Sequence, residues 1–226
     1  MKLYWEALLR LIYPAACGVC TTLLELEEQG ICSACRHRLA VLRFSSHDRI
    51  LRHRLPSVDE GWTLYPYESP VKEILLGIKF SRKRWLVHVF EEEIRTLALA
   101  MAGETAYDFV IPIPLDRQKL IEREFNQSDL IADTVARNIK IPLEKTLLRK
   151  RWNTSSQSIL SRRERQANLK NAFKVVDQKK IQGKSLLLVD DVLTTGATAE
   201  EASQMLKRHG AKRVDLFTLA RTEVKS

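Results

Sequence analysis

The chain lacks any run of apolar residues long enough to cross a bilayer. A spanning helix takes roughly 20 consecutive apolar residues, so a membrane-spanning role is excluded at the level of sequence. Cysteine is absent from most of the chain, because all four lie between Cys17 and Cys35. Acidic residues are outnumbered, 28 against 37 Lys and Arg, which leaves a formal net charge of +9. That balance favours an anionic ligand or a polyanionic partner by long-range attraction, although many basic proteins bind neither. What is present, 226 residues at 45% hydrophobic and 29% charged, matches an ordinary soluble globule with room for one core and a small module.

At the N-terminus, Trp5, Leu8, Leu9 and Ile12 recur at helical spacing, while Glu6 and Arg10 interrupt a stretch too short for a secretory signal. The expected location is the cytoplasm. The four cysteines then form two C-x-x-C pairs, Cys17/Cys20 and Cys32/Cys35, eleven residues apart. Two such knuckles suit a tetrahedral four-thiolate site, and a filled site of that kind holds Zn²⁺ structurally. Two disulfides and a redox pair are the competing readings, both disfavoured in a cytosolic chain. Behind the knuckles run Arg36, Arg38, Arg43, Arg49, Arg52 and Arg54, with His37, His47 and His53 among them. This is either a phosphate-contacting surface or a solvated face. The natural division is residues 1–55, holding an N-terminal helix, metal module and basic stretch, and residues 56–226.

The second part opens with a strand through Leu64 and Tyr67, a turn at Ser69-Pro70 and an amphipathic helix, followed by the basic residues Lys79, Arg82, Lys83 and Arg84. Leu86, Val89, Phe90, Ile94, Leu97 and Met101 predict one face of a single long helix ending near Gly103. Asp108 to Pro114 reads as a short core strand, cut off by its prolines. After it Arg117, Lys119 and Arg123 supply cations, and Asn126 or Ser128 can cap a helix with a buried side of Leu130, Ile131, Thr134, Val135 and Ile139. The stretch from Leu148 to Phe173 is rich in cations, including Arg149, Arg151, Arg162, Arg163 and Arg165, with Trp152 among them.

Leu186 to Ala202 carries the clearest chemistry. Leu186, Leu187, Leu188 and Val189 predict a strand buried on both faces of a parallel sheet, stopping at the charges of Asp190 and Asp191. Thr194, Thr195, Gly196, Ala197 and Thr198 follow as a small-residue turn entering a helix. Such a turn lets a phosphate approach the backbone N–H groups and a helix N-terminus. The acid pair suits vicinal sugar hydroxyls, or a Mg²⁺ carried with the ligand. Together these features ask for a ribose bearing a 5′-phosphate; the competing reading is an acid pair that merely caps the next helix.

The residues VDDVLTTGAT resemble the PRPP-binding signature of type I phosphoribosyltransferases. With the knuckles, Arg123–Gln127 (REFNQ), Thr154/Gln157 and the R-x-x-N-L-x-x-A-F run from Arg165 to Phe173, the chain resembles the ComF family, amidophosphoribosyltransferase-like competence proteins that include ComFC. Glu124 departs from the family, which commonly has glycine there. The resemblance implies an α/β fold, a type I phosphoribosyltransferase-like parallel sheet flanked by helices with a small N-terminal Cys₄ zinc module. It implies PRPP bound with Mg²⁺ by Asp190, Asp191 and the turn. Leu115 to Lys119 would stand where the type I enzymes have their pyrophosphate loop, with Arg117, Lys119 and Arg123 on the leaving group. The 149–165 cations and Trp152 would lie on a mobile loop or a DNA contact. It further implies a role in natural transformation, on imported single-stranded DNA with the ComF helicase-like ATPase. The alternative is an active phosphoribosyltransferase of nucleotide metabolism using a free base or other small acceptor. Whether transfer is catalysed stays open, because the chain ends within seven residues of the last expected strand, Val214 to Leu219, with no base-recognition element there.

Overall fold

A computed structural model describes residues 14–42, 48–49, 55–151 and 172–222. The expected N-terminal helix, Arg43, Arg52, Arg54, His47 and His53, Trp152, Arg162, Arg163 and Arg165 lie outside the described residues, as does the side chain of Arg49.

The strands are β1 (Asp48–Arg49), β2 (Gly61–Pro66), β3 (Phe109–Pro112), β4 (Leu148–Lys150), β5 (Phe173–Val175), β6 (Ser185–Leu193) and β7 (Arg213–Arg221). The helices are α1 (Ser33–Leu42), α2 (Val71–Phe80), α3 (Glu91–Glu104), α4 (Arg117–Arg123), α5 (Gln127–Ile139), α6 (Gln178–Ile181) and α7 (Ala197–Arg208), with a 3₁₀ helix at Arg84–Phe90. The main sheet has the order β1-β2-β7-β6-β3. β2, β7, β6 and β3 run parallel, β1 is an antiparallel edge, and β4 pairs antiparallel with β5 apart from the sheet.

Alternation along the two central strands builds a core on each side of the sheet. Leu187, Val189, Phe217 and Leu219 join one apolar cluster, which also contains α2, the 3₁₀ helix, α3 and α5. Leu186, Leu188, Val214 and Leu216 join the other, under α7 and the β4–β5 pair. α2 buries Val71, Ile74, Leu75 and Ile78, the i, i+3, i+4, i+7 stripe of an amphipathic helix.

Three expectations are corrected. β6 does not stop at its acids: it runs to Leu193, because β7 is equally long and still offers partners, Asp190 to Thr218 and Leu193 to Arg221. The single helix expected over 86–101 is divided at Phe90, where 3₁₀ gives way to α3. Glu91, Glu92 and Glu93 fill the first turn of α3, and three carboxylates favour a helix start at that point. Finally, Leu115–Lys119 is a loop only in its first two residues. Asp116 accepts a hydrogen bond from the Lys119 N–H at 2.9 Å, and this cap starts α4 at Arg117.

The Cys-bearing segment shares the first core rather than standing apart. Cys17, Ile31, Cys32, Cys35 and Leu39 belong to the same cluster as Leu86 and Phe90. A Cβ on Gly18 would lie 2.7 Å from the Leu86 side chain, and one on Gly30 2.8 Å from Val89, so the knuckle backbone rests directly on the 3₁₀ helix.

Glu124 adopts φ 64° at the C-cap of α4, a left-handed conformation in which glycine is at ease and other residues are strained by about 1–2 kcal/mol. It pairs with Arg82, itself at φ 54°, at 2.8 Å. The turn is therefore kept with the departing residue in it. An exposed pair of this kind contributes about 0–1 kcal/mol, so Glu124→Gly is expected to leave the urea midpoint unchanged or higher. Glu124→Val, with its branched Cβ, is expected to lower stability by about 1–2 kcal/mol. Urea melts of the three proteins check that order.

Candidate functional site

Strand alternation sends the adjacent carboxylates of β6 to different neighbours. Asp191 meets Lys79 from the last turn of α2, with Nζ 2.6 Å from Oδ2 and both side chains largely shielded. Asp190 accepts from the Ser128 hydroxyl at 2.9 Å and from the Asp191 N–H at 2.9 Å. Ser128 stands in the first turn of α5, which Asn126 caps by accepting from the Ser128 N–H. The Asn126 amide in turn donates to the Ile113 carbonyl at 2.9 Å, pinning the start of α5 to the end of β3. Burial, then the neighbouring charge of Asp191, pushes the Asp190 carboxyl up to about 7, against the pull of Ser128 and Lys79.

A second lysine approaches from β4. Leu148 is buried, Arg149 exposed and Lys150 half-buried, so the alternation directs Lys150, not Arg149, inward. Burial holds its ammonium below the usual lysine range, while Asp116 and Asp190 pull it back. Lys150 lies 3.9 Å from Asp116, and Lys119 lies 3.8 Å from the same carboxylate. Asp116 thereby gathers two cations near the acid pair.

Beyond β6, Gly196 takes φ 80° at the cap of α7, and a Cβ there would come within 2.6 Å of the Leu55 side chain. Glycine is required on both counts. Thr194 and Thr195 are exposed, Ala197 and Thr198 half-buried. The Thr195 hydroxyl accepts from the Ala197 N–H at 3.4 Å. Glu200, in the first turn of α7, accepts from the Ser57 N–H and hydroxyl, which moors the helix start to residues 55–58.

Asp190, Asp191 and the 194–198 turn thus follow one another from β6 into α7, while Lys119 stands beside Asp116. Arg117 is exposed in the first turn of α4. Arg123 turns instead toward α2: its guanidinium lies 5.3 Å from the Phe80 ring centroid and donates to Gln127 Oε1 at 3.1 Å. Arg151 donates to the Phe173 carbonyl at 3.1 Å, which ties it to the β5 backbone. Arg36 and Arg38 of α1 donate to the Gln29 carbonyl and the Ser69 hydroxyl. The sequence reading places Lys79 only in a basic cluster and Ser128 only as a helix cap, and assigns neither of them, nor Lys150, to the site. Lys150 was accessible by alternation within LRK; Lys79 was hidden in a basic cluster far along the chain from Asp191.

In the N-terminal segment, the Sγ atoms of Cys17, Cys20, Cys32 and Cys35 all lie within 4.8 Å of one another. Tetrahedral Zn–S bonds of about 2.3 Å put sulfurs about 3.8 Å apart, and Cys20 and Cys32 are at 3.6 Å. The N–H groups of Val19 and Cys32 point to Cys17 Sγ at 3.4 and 3.3 Å, as donors to a thiolate would. The four residues fit one structural metal ion.

The family model of the phosphoribosyl transferase domain matches residues 127–225. The DNA utilization protein YhgH of Shigella flexneri is 30% identical, across 94% of this chain and 99% of that protein. Competence protein F of Haemophilus influenzae is 28% identical, across 91% and 96%. Among solved structures, the glutamine PRPP amidotransferase of B. subtilis is 24% identical over 57% of this chain and 26% of that one, with a TM-score of 0.38. Among the described residues, no helix is long and apolar enough to cross a membrane.

The raised Asp190 carboxyl gives stability a sign with pH. The folded state keeps this proton up to about pH 7, whereas an unfolded aspartate releases it near pH 4. The group's stabilising contribution is therefore complete below pH 4 and lost as pH rises toward 7. Asp190→Asn stays neutral throughout, so melting temperatures from pH 4 to 8 are expected to show the variant gaining on the parent across that window, by about 4 kcal/mol at pH 8.

Proposed function

Because the chain belongs to the ComF family of phosphoribosyltransferase-like competence proteins, we propose that it binds PRPP with Mg²⁺ and handles imported single-stranded DNA in natural transformation, in the cytoplasm and with the ComF helicase-like ATPase. The observation that carries this reading is the acid pair at the carboxyl end of β6, flanked by shielded lysines and followed at once by the Gly196 turn into α7. Carboxylates cannot hold phosphate. Next to a turn that can, they suit the hydroxyls of the ribose between them.

In this reading Asp190 and Asp191 orient the ribose, and Thr194 to Thr198 wrap its 5′-phosphate. Lys119 and Arg117, with Lys150 behind them, offset the charge of the pyrophosphate. Mg²⁺ enters with PRPP and neutralises part of its charge. Lys79 is paired with Asp191 and must yield its place when a hydroxyl arrives. The stretch 149–165, including Trp152, Arg162, Arg163 and Arg165, is assigned to covering the site or contacting DNA. Residues 1–55 are assigned as a module whose Cys₄ site holds Zn²⁺ structurally, and 56–226 as the phosphoribosyltransferase-like domain.

Two measurements test this. PRPP titrated with Mg²⁺ into the purified protein should bind, and Asp190→Asn combined with Asp191→Asn should abolish the heat signal while the melt stays cooperative. Pyrophosphate release that requires single-stranded DNA or a free base would make the protein a transferase, the second reading. Binding without release makes it a ligand-gated adaptor, and absence of PRPP binding by the parent rejects both. For the metal, elemental analysis should give about one zinc per chain, and Cys17→Ser with Cys32→Ser should release it and lower the melting temperature. A stable metal-free parent would refute the assignment.

A further inference from the structure

We propose that Phe80, Arg123 and Gln127 form a nucleobase-recognition site beside the acid pair. The inference deepens the reading above and rests on it, by naming what the site accepts next to PRPP.

Phe80 ends α2 off the helix's buried stripe, and is 68% exposed. A ring this open leaves a flat apolar face free for stacking. Arg123 reaches across from α4 and holds its guanidinium 5.3 Å from the ring centroid, while donating to Gln127 Oε1 at 3.1 Å. Gln127 is 2% exposed, and its Nε2 has no hydrogen-bond partner among the described residues. A buried donor left unpaired costs about 1–3 kcal/mol, and native folds rarely leave one without a purpose.

The placement of these groups is specific. Phe80 follows Lys79, whose ammonium holds Asp191 at 2.6 Å. Gln127 precedes Ser128, whose hydroxyl holds Asp190 at 2.9 Å. The ring and the idle amide are thus each one residue away from a contact of the acid pair, on the two helices that frame it. A flat ligand with a π-face for Phe80 and Arg123, and a carbonyl or ring-nitrogen acceptor for Gln127 Nε2, uses all three groups. Nucleobases have both features. Arg82, paired with Glu124, and Arg84, over the Phe125 ring, are exposed nearby in the chain and can exchange those partners for the phosphates of a strand.

The base could belong to a single strand or be free, and the test separates these. With the full-length protein and Mg²⁺–PRPP, binding of a single-stranded oligonucleotide is compared with that of the same backbone carrying abasic sites. The parent should prefer the base-bearing strand by roughly 5- to 100-fold, the worth of one stacked base. Phe80→Ala should erase that preference yet bind PRPP within about twofold of the parent, and Phe80→Trp should restore it. If the base is free, adenine, hypoxanthine or uracil should drive pyrophosphate release by the parent, lost in Phe80→Ala. Both strands bound alike by the parent, with no free base consumed, overturns the inference. So does an unchanged preference or base-dependent release in Phe80→Ala, or a loss of PRPP binding along with base preference. A parent that binds neither PRPP nor any strand overturns instead the reading beneath it.

Discussion

A strand covered on both faces has no room for charge, and every part of the site follows from how β6 meets that constraint. Leu186 to Val189 are fully buried, so the two aspartates can stand only where the strand reaches the sheet's carboxyl edge. Lys79 meets Asp191 by direct contact and Ser128 meets Asp190 by a hydrogen bond, yet burial, and after it the neighbouring charge of Asp191, still pushes the Asp190 carboxyl up to about 7. The helices around the site can be understood as carriers of those partners: α2 brings Lys79 and α5 brings Ser128.

Placing the cations also reorganises the charge of the molecule. Much of the local excess of positive residues is engaged with protein groups: Lys79 with Asp191, Lys119 and Lys150 with Asp116, Arg123 with Gln127 and Phe80. A net charge of +9 therefore says less about free binding surface than its size suggests. In the proposed reading the anion is met where Asp116 holds Lys119 and Lys150. An arriving polyanion can recruit them by exchanging one acidic partner for another.

Legibility in the sequence followed the range of the forces involved. The apolar quartet, the acid pair and the small-residue turn are local features, and each is written in consecutive residues between Leu186 and Thr198. The cysteine knuckles are likewise local, and their sulfurs do gather. The alternation that points Lys150 inward was present in Leu148-Arg149-Lys150 but masked by the basic composition around it. Lys79 could not be read at all, because its partner depends on how α2 packs on the sheet, and nothing in the sequence around either residue encodes that. The break at Phe90 and the start of α4 were missed for a different reason. Apolar periodicity runs unbroken through the first and is lacking at the second, and in both cases the deciding signals were polar: three glutamates in a row and the cap at Asp116.

Leu86 has a place in the order of events during synthesis. Its side chain is wedged between Gly18 of the knuckle, at 2.7 Å from where a Cβ would be, and Gly77 of α2, at 3.0 Å. Residues 17–35 leave the ribosome well before it, and can gather their four thiols while the floor they will rest on is still being translated. Until residue 90 has emerged, Gly18 and Gly30 face solvent with nothing to fill the space beside them. The knuckles therefore precede the surface they rest on along the chain, and Leu86 and Val89 complete that surface.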